Sequence, residues 1–249
     1  MSHTRMGATE LWLVRHGEST ANAAASRAEA EGAMTIEVDQ PDADVPLSPI
    51  GRRQAGALGR RLLETGPVLD GLWSSPYLRA QQTAAIAQEQ AGFDLPIRID
   101  ERLRDRELGI LDLLTSAGVE SRLPEEARRR RWLGKFYYRP PGGESWADVA
   151  LRVRSFLGDL DHRDDRGRVL VVAHDAVVML FLYVCTGLTE PELLAFSRTH
   201  TVTNASVTRL SRPSGFGIWS LEEFSNDDHV AREGVPRTAH PGDQDVAIH

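Results

Sequence analysis

Two short apolar runs each end abruptly in a histidine, and this pairing constrains the fold more than any other feature of the chain. Glu10 to Val14 runs into Arg15-His16-Gly17, and Arg168 to Ala173 runs into His174-Asp175. Short apolar runs rich in β-branched residues read as strands of a parallel sheet buried on both faces. In open α/β sheets, ligands bind just beyond the carboxyl ends of the strands. Two histidines at such ends predict two imidazoles meeting at one edge of one sheet. A lone Arg-His-Gly arises by chance in many proteins, and the repeated strand-end context is what gives this one weight.

A third element fits the same geometry. Asp70 to Ser74 reads as a strand that leads into Ser75-Pro76-Tyr77-Leu78-Arg79. Ser75 suits an N-cap and Pro76 the first helical position, which places Arg79 in the first turn of a helix, close to the strand end. Further strand candidates are Leu11 to Arg15, Gly71 to Ser74, Ile97 to Ile99, Val169 to Ala173, Ala205 to Leu210 and Phe216 to Leu221. Helix candidates are Pro49 to Leu63, Pro76 to Ala91, Ser145 to Asp161 and Ala176 to Thr186, the last stopped by Gly187. Leu47-Ser48-Pro49 supplies a staple, an N-cap and a first-turn proline, and Leu58, Leu62 and Leu63 share a face at helical spacing. Alternating strands and helices predict an α/β fold, a three-layer α/β/α sandwich around a mostly parallel sheet. Ala23 to Val45, rich in Ala, Glu, Asp and Pro, reads as an irregular, mobile flap. The chain to residue 231 reads as one domain, and 232–249 as a disordered tail.

Composition excludes several classes. The 249 residues suit one large α/β domain, and 41% hydrophobic with 26% charged residues is ordinary for a globular protein. No apolar stretch approaches the ~20 residues of a membrane span. Met1 to Thr9 lacks the apolar core of a signal peptide, and the single cysteine, Cys185, fits a reducing compartment, so a cytoplasmic location is expected. Cys185 lies in an apolar helix and reads as a buried structural thiol. A net charge of −7 argues against a nucleic-acid partner. His229, His240 and His249 show no metal-ligand spacing.

Taken together, these pieces resemble the histidine phosphatase superfamily, also called phosphoglycerate-mutase-like. The matching stretches are Arg15 to Ser19 with Asn22; Leu47 to Gly51 with Gln54-Ala55; Ser74-Ser75-Pro76 with Arg79-Ala80 and Gln82-Thr83-Ala84; Leu103-Arg104-Asp105 with Gly109; Pro141 to Ser145; and Val171 to His174. They occur in the family's order and span roughly Glu10 to Leu221. The resemblance implies a phosphomonoesterase that works through phosphohistidine. His16 is then the nucleophile. Arg15, Arg79 and His174 hold the phosphoryl oxygens, with Asn22 a further contact. Asp105 stands where the family usually has a Glu acid, and Asp175 where it usually has Gly after the second His. Glu107, two residues beyond Asp105, is the competing carboxylate. Asn22, Glu107 and Asp175 are the candidate substrate-binding residues beside the catalytic set.

These residue types suit the chemistry. Phosphoryl transfer is catalysed mainly by positioning and charge stabilisation. Two guanidiniums supply planar, permanently charged, bidentate donors, which Lys does not. His16 must be neutral, with one ring nitrogen donating to a fixed acceptor. His174 is then expected to be cationic and to donate to the phosphoryl group. The acid must protonate a leaving alkoxide and later deprotonate water. Its reference pKa of about 4 must therefore be raised, and burial and a substrate dianion push that way. No metal or cofactor is expected, because two arginines and a histidine already supply positive charge.

The segment of about 110–140 reads by resemblance as a cap inserted over the pocket. Within it, Arg128 to Arg131 is the one dense basic run. It follows Glu125-Glu126, so a solvated helix face is the default reading. The alternative is a basic rim, with Lys135 and Arg139, that attracts small, multiply charged phosphorylated substrates. Two other functions compete with hydrolysis. A phosphoglycerate mutase would return the phosphoryl group to a bound intermediate, but its subgroup carries Glu-Arg-His-Tyr-Gly-Ala-Leu where this chain has Asp105 to Leu111. A non-catalytic phosphate-binding module would tolerate loss of either histidine, and both are present.

Overall fold

The computed structural model describes residues 7–163 and 167–239. In chain order its elements are β1 (Glu10–Arg15), α1 (Thr20–Glu31), α2 (Pro49–Thr65), β2 (Gly71–Ser74), α3 (Leu78–Ala91), β3 (Ile97–Ile99), α4 (Ser116–Arg122), α5 (Pro124–Tyr137), α6 (Trp146–Leu160), β4 (Arg168–Ala173), α7 (Asp175–Thr186), α8 (Glu190–Thr199), β5 (Val207–Ser211), β6 (Ser220–Asn226) and α9 (Asp228–Arg232). Among the described residues the strands form one sheet in the order β3-β2-β4-β1-β5-β6. The first four run parallel, and β5 and β6 are antiparallel additions.

Strand alternation explains the layers. Leu11 and Leu13 of β1, with Val169, Val171 and Ala173 of β4, face a core closed by α6 and α7. Trp12 and Val14, with Leu170 and Val172, face the opposite core under α2 and α3. Burial on both faces is why these strands read as continuous apolar runs. β1 and β4 are direct neighbours with Arg15 level with Ala173, so the two histidine-bearing strand ends lie side by side.

Several boundaries differ from the sequence-based expectation, each for a local reason. Ala23 to Glu31, expected as the start of an irregular flap, belongs to helix α1, Thr20–Glu31. Ser19 and Asn22 form a reciprocal capping box at its start, and Gly32 ends it in the left-handed conformation at φ 66°. α3 starts at Leu78 rather than Pro76, and Ser75 is not its N-cap. The last strand is Ser220–Asn226 rather than Phe216–Leu221, because Gly215 and Gly217 both take positive φ and hold that stretch in a turn. Leu63 is exposed although Leu58 and Leu62 are buried. The expected disordered tail is packed as far as it is described. Val235 is buried, and Thr238 bonds Asn204 and Gln54. The rest of that tail, with His240 and His249, lies outside the described residues, as do Met1 to Met6 of the segment read for a signal peptide. Among the described residues no helix is long and apolar enough to cross a membrane.

Candidate active site

The carboxyl ends of β1, β2 and β4 converge on one buried polar cluster. His16 and His174 are buried, with ring centroids 5.0 Å apart in an edge-on contact. His16 Nδ1 lies 2.7 Å from the carbonyl oxygen of Gly17. A carbonyl only accepts, so the proton sits on Nδ1 and the lone pair on Nε2. Arg79 Nε donates to that Nε2 at 3.3 Å. Burial pushes the His16 pKa well down, and the neighbouring Arg79, His174 and Arg15 push it further. His16 is therefore a neutral imidazole with a fixed tautomer.

His174 is held from both sides. Its Nε2 lies 2.8 Å from Ser75 Oγ, and Ser75 Oγ accepts the Tyr77 backbone N–H at 3.2 Å. Its Nδ1 lies 3.2 Å from Asp105 Oδ2, an ion-pair distance without hydrogen-bond geometry. A lone pair on Nδ1 would face a carboxylate, so the proton belongs on Nδ1, and Ser75 donates to Nε2. Burial lowers the His174 pKa more than Asp105 raises it. The expected imidazolium is thus replaced by a neutral ring that can still donate through Nδ1, because a fully buried charge loses its hydration.

Asp105 also departs from expectation. Burial pushes its carboxyl up, but His174 and Arg79 outweigh burial and hold it well below the usual carboxylate range. Arg79 Nη2 donates to Asp105 Oδ2 at 3.1 Å. The resting carboxyl is ionised. Arg79 is itself buried, and although burial opposes its charge, Asp105 and Asp42 raise its pKa. Arg15, beside His16, is buried and donates to the Val202 carbonyl at 2.6 Å.

The fold thus brings His16, Arg15, Arg79, Asp105 and His174 together. The other expected residues are engaged elsewhere. Asn22 Oδ1 accepts the Ser19 N–H and lies 3.4 Å from Asn204 Nδ2. Glu107 Oε1 accepts the Tyr77 hydroxyl at 2.9 Å. Asp175 Oδ1 accepts the Ala176 N–H of its own helix. Arg128, Arg129 and Arg131 are exposed on α5 and Arg130 is half-buried; Arg128 pairs with Glu125 and Arg131 with Glu120, while Arg139 pairs with Asp148. The ion pairs of Arg128 and Arg131 fit the default reading, a solvated helix face, rather than the alternative of a basic rim.

Residues to which the sequence reading gave no role support the cluster; Thr83, Gly51 and Glu144 stand in the matching stretches, and Asn204 and His229 lie outside them. Thr83 Oγ1 accepts the Gly17 N–H and donates to the Arg79 carbonyl, tying the His16 loop to α3. Asn204 Nδ2 donates to the His16 carbonyl. A Cβ on Gly51 would stand 1.9 Å from the Glu18 carbonyl oxygen, so only glycine lets α2 approach the loop after His16. Glu144 pairs with Arg104 and Arg152, and Arg152 donates to the Asp105 carbonyl, which holds the Asp105 loop. His229 Nε2 reaches the Ala205 carbonyl, and burial with Arg61 nearby lowers its pKa to about 4. Asp42 is the largest omission from the sequence-based reading, since both its carboxylate oxygens accept from Arg79.

His16, Asp105 and His174 also bring ligand-type atoms within 4.8 Å of one another. The guanidinium donating to His16 Nε2 opposes a divalent cation there.

Comparison with known proteins agrees with this geometry. The model of the histidine phosphatase superfamily (branch 1) matches residues 11–226. A probable phosphoglycerate mutase of Yersinia enterocolitica is 30% identical over 223 residues, covering 89% of this chain and 94% of that protein. A glucosyl-3-phosphoglycerate phosphatase of Mycobacterium tuberculosis is 32% identical over 181 residues, covering 70% of this chain and 73% of that protein. The solved structure of a mycobacterial glucosyl-3-phosphoglycerate phosphatase with inorganic phosphate superposes with a TM-score of 0.69 at 29% identity, covering 90% of this chain and 100% of that one.

Proposed function

Because this chain belongs to the histidine phosphatase superfamily, branch 1, and its members catalyse phosphoryl transfer, we propose that it hydrolyses small phosphate monoesters through a phosphohistidine on His16. The observation that carries this reading is the His16 tautomer. With Nδ1–H bonded to the Gly17 carbonyl, the lone pair lies on Nε2, and a phosphoryl group that draws the Arg79 guanidinium onto its own oxygens leaves that lone pair to attack phosphorus.

The reaction divides into two displacements. Nε2 of His16 forms a bond to phosphorus as the ester P–O bond breaks. Arg15, Arg79 and the Nδ1–H of His174 hold the phosphoryl oxygens. The leaving alkoxide takes a proton from the Asp105 carboxyl. Water then attacks phosphorus, gives its proton back to Asp105 and releases His16 and inorganic phosphate. Asp105 is ionised at rest, so the proton must arrive with the substrate. A phosphate dianion seated on Arg79 and on the His174 Nδ1–H draws off both groups that keep the carboxyl ionised, and proton uptake accompanies binding. Glu107 bonds the Tyr77 hydroxyl, whereas Asp105 reaches both Arg79 and His174, which favours Asp105 as the acid. Mutase chemistry uses the same cluster, but the Asp105 to Leu111 stretch departs from the mutase pattern. We propose a cytoplasmic location, which the single, buried cysteine, Cys185, supports.

The test is trapping. Acid-quenched enzyme turning over a radiolabelled monoester should carry acid-labile, base-stable label, and His16→Ala should carry none and lose at least about a thousandfold in turnover. Label persisting in His16→Ala would contradict the assignment.

A further inference from the structure

Arg79 already holds an anion belonging to this chain. Asp42 lies in a 3-10 turn, Asp42–Asp44, in the connection between α1 and α2. Its Oδ1 accepts from Arg79 Nη1 at 2.9 Å and its Oδ2 from Nη2 at 3.2 Å, and its carbonyl oxygen accepts from Nη1 at 2.6 Å. Two parallel N–H···O bonds from one guanidinium are also the geometry by which arginine takes a phosphoryl group. The Arg79 side chain is 4% exposed and that of Asp42 is 45% exposed. The carboxylate therefore reaches a buried cation from the solvent side, the side from which a substrate must come.

We propose that Asp42 is a specificity-determining residue. Its carboxylate stands in for the phosphoryl group on Arg79, the substrate displaces it, and the displaced carboxylate then faces the leaving group and disfavours leaving groups that carry negative charge. The proposal rests on the reading of Arg79 as a phosphoryl-binding residue.

Three further observations support it. Val45 follows the turn and is buried, and the Asp44 N–H bonds the Pro41 carbonyl, so the turn is anchored and its carboxylate moves mainly by side-chain rotation. Asp112 has its carboxyl pushed up by burial and then by Asp42 and Glu107, so these three acids share one neighbourhood. Tyr77 is raised by burial and then by Glu107, Asp42 and Asp105, which places its hydroxyl among the same anions. A carboxylate released from Arg79 joins Glu107 and Asp112 there. A substrate whose alcohol part bears an ammonium or only hydroxyls meets attraction or neutrality, and one bearing a carboxylate meets repulsion.

Equilibrium binding of inorganic phosphate to His16→Ala, by calorimetry, isolates displacement from turnover. Adding Asp42→Asn should tighten phosphate binding at least tenfold, and Asp42→Ala should do the same, while Asp44→Asn, two residues on in the same turn, should change it less than twofold. In the His16 enzyme, kcat/KM for phosphoethanolamine, glycerol phosphate and 3-phosphoglycerate should fall in that order. Asp42→Asn should narrow the first-to-last ratio at least fivefold through KM rather than kcat. Unchanged or weaker phosphate binding in both Asp42 variants would overturn the proposal, as would an unchanged substrate ratio. If the enzyme turned over none of these esters yet the Asp42 variants tightened phosphate binding, the stand-in would be upheld and the hydrolytic reading would fail.

Discussion

Arg79 and Arg131 are the same side chain in two solvents. Arg79 lies at the sheet edge with a 4% exposed side chain, and its fork reaches His16, Asp42 and Asp105 at once. Arg131 lies on α5 with 41% exposure and pairs with Glu120. Water screens the second pair, and exposed ion pairs contribute at most about 1 kcal/mol. In the first, little water competes, so one guanidinium moves three neighbours. It adds to the burial that depresses His16, joins His174 in holding Asp105 ionised and donates to the carboxylate offered by Asp42. A cluster of arginines in sequence therefore says less about anion binding than one arginine at the carboxyl end of a buried strand.

The contrast makes its largest demand on Arg79. Arg79→Lys keeps one charge but loses the bidentate fork, and kcat/KM for any monoester should fall on the order of a hundredfold or more. A loss below about fivefold would mean that charge alone suffices and that the fork geometry is incidental.

Asp105 gives the next effect. Asp105→Asn should lower turnover of an alkyl phosphate by on the order of a hundredfold and spare nitrophenyl phosphate in relative terms, because an activated leaving group needs no proton. Glu107→Gln, whose native partner is the Tyr77 hydroxyl, should affect both esters mildly and alike. Calorimetry in buffers of different ionisation enthalpy should show phosphate binding with proton uptake in the wild type and less uptake in Asp105→Asn. A selective alkyl defect in Glu107→Gln alone would move the acid to that residue.

The smallest effect belongs to α5. Arg128→Ala with Arg131→Ala should change KM for singly and multiply charged esters by less than about twofold, since each arginine already faces a glutamate in solvent. A selective rise for multiply charged esters would restore the basic rim that the ion pairs argue against.

What the amino-acid sequence determined by itself was the frame. The two histidine-ended apolar runs, the Ser48-Pro49 helix start and the Gly187 stop are local signals, fixed by strand burial and by capping within a few residues, and they appear where the residues place them. The places of Arg15, His16, Arg79 and His174 are legible because each sits at a strand end or in a first helical turn, and their catalytic roles belong to the proposal. What only the tertiary structure decided depends on partners far away in the chain. Ser75 looks like an N-cap until His174, 99 residues on, takes its hydroxyl. Asp42 looks like loop polarity until Arg79, 37 residues on, takes its carboxylate. The protonation states belong to this second class, because a neutral His174 and an ionised Asp105 follow from burial and from neighbours that only folding assembles. Local periodicity carries no information about either.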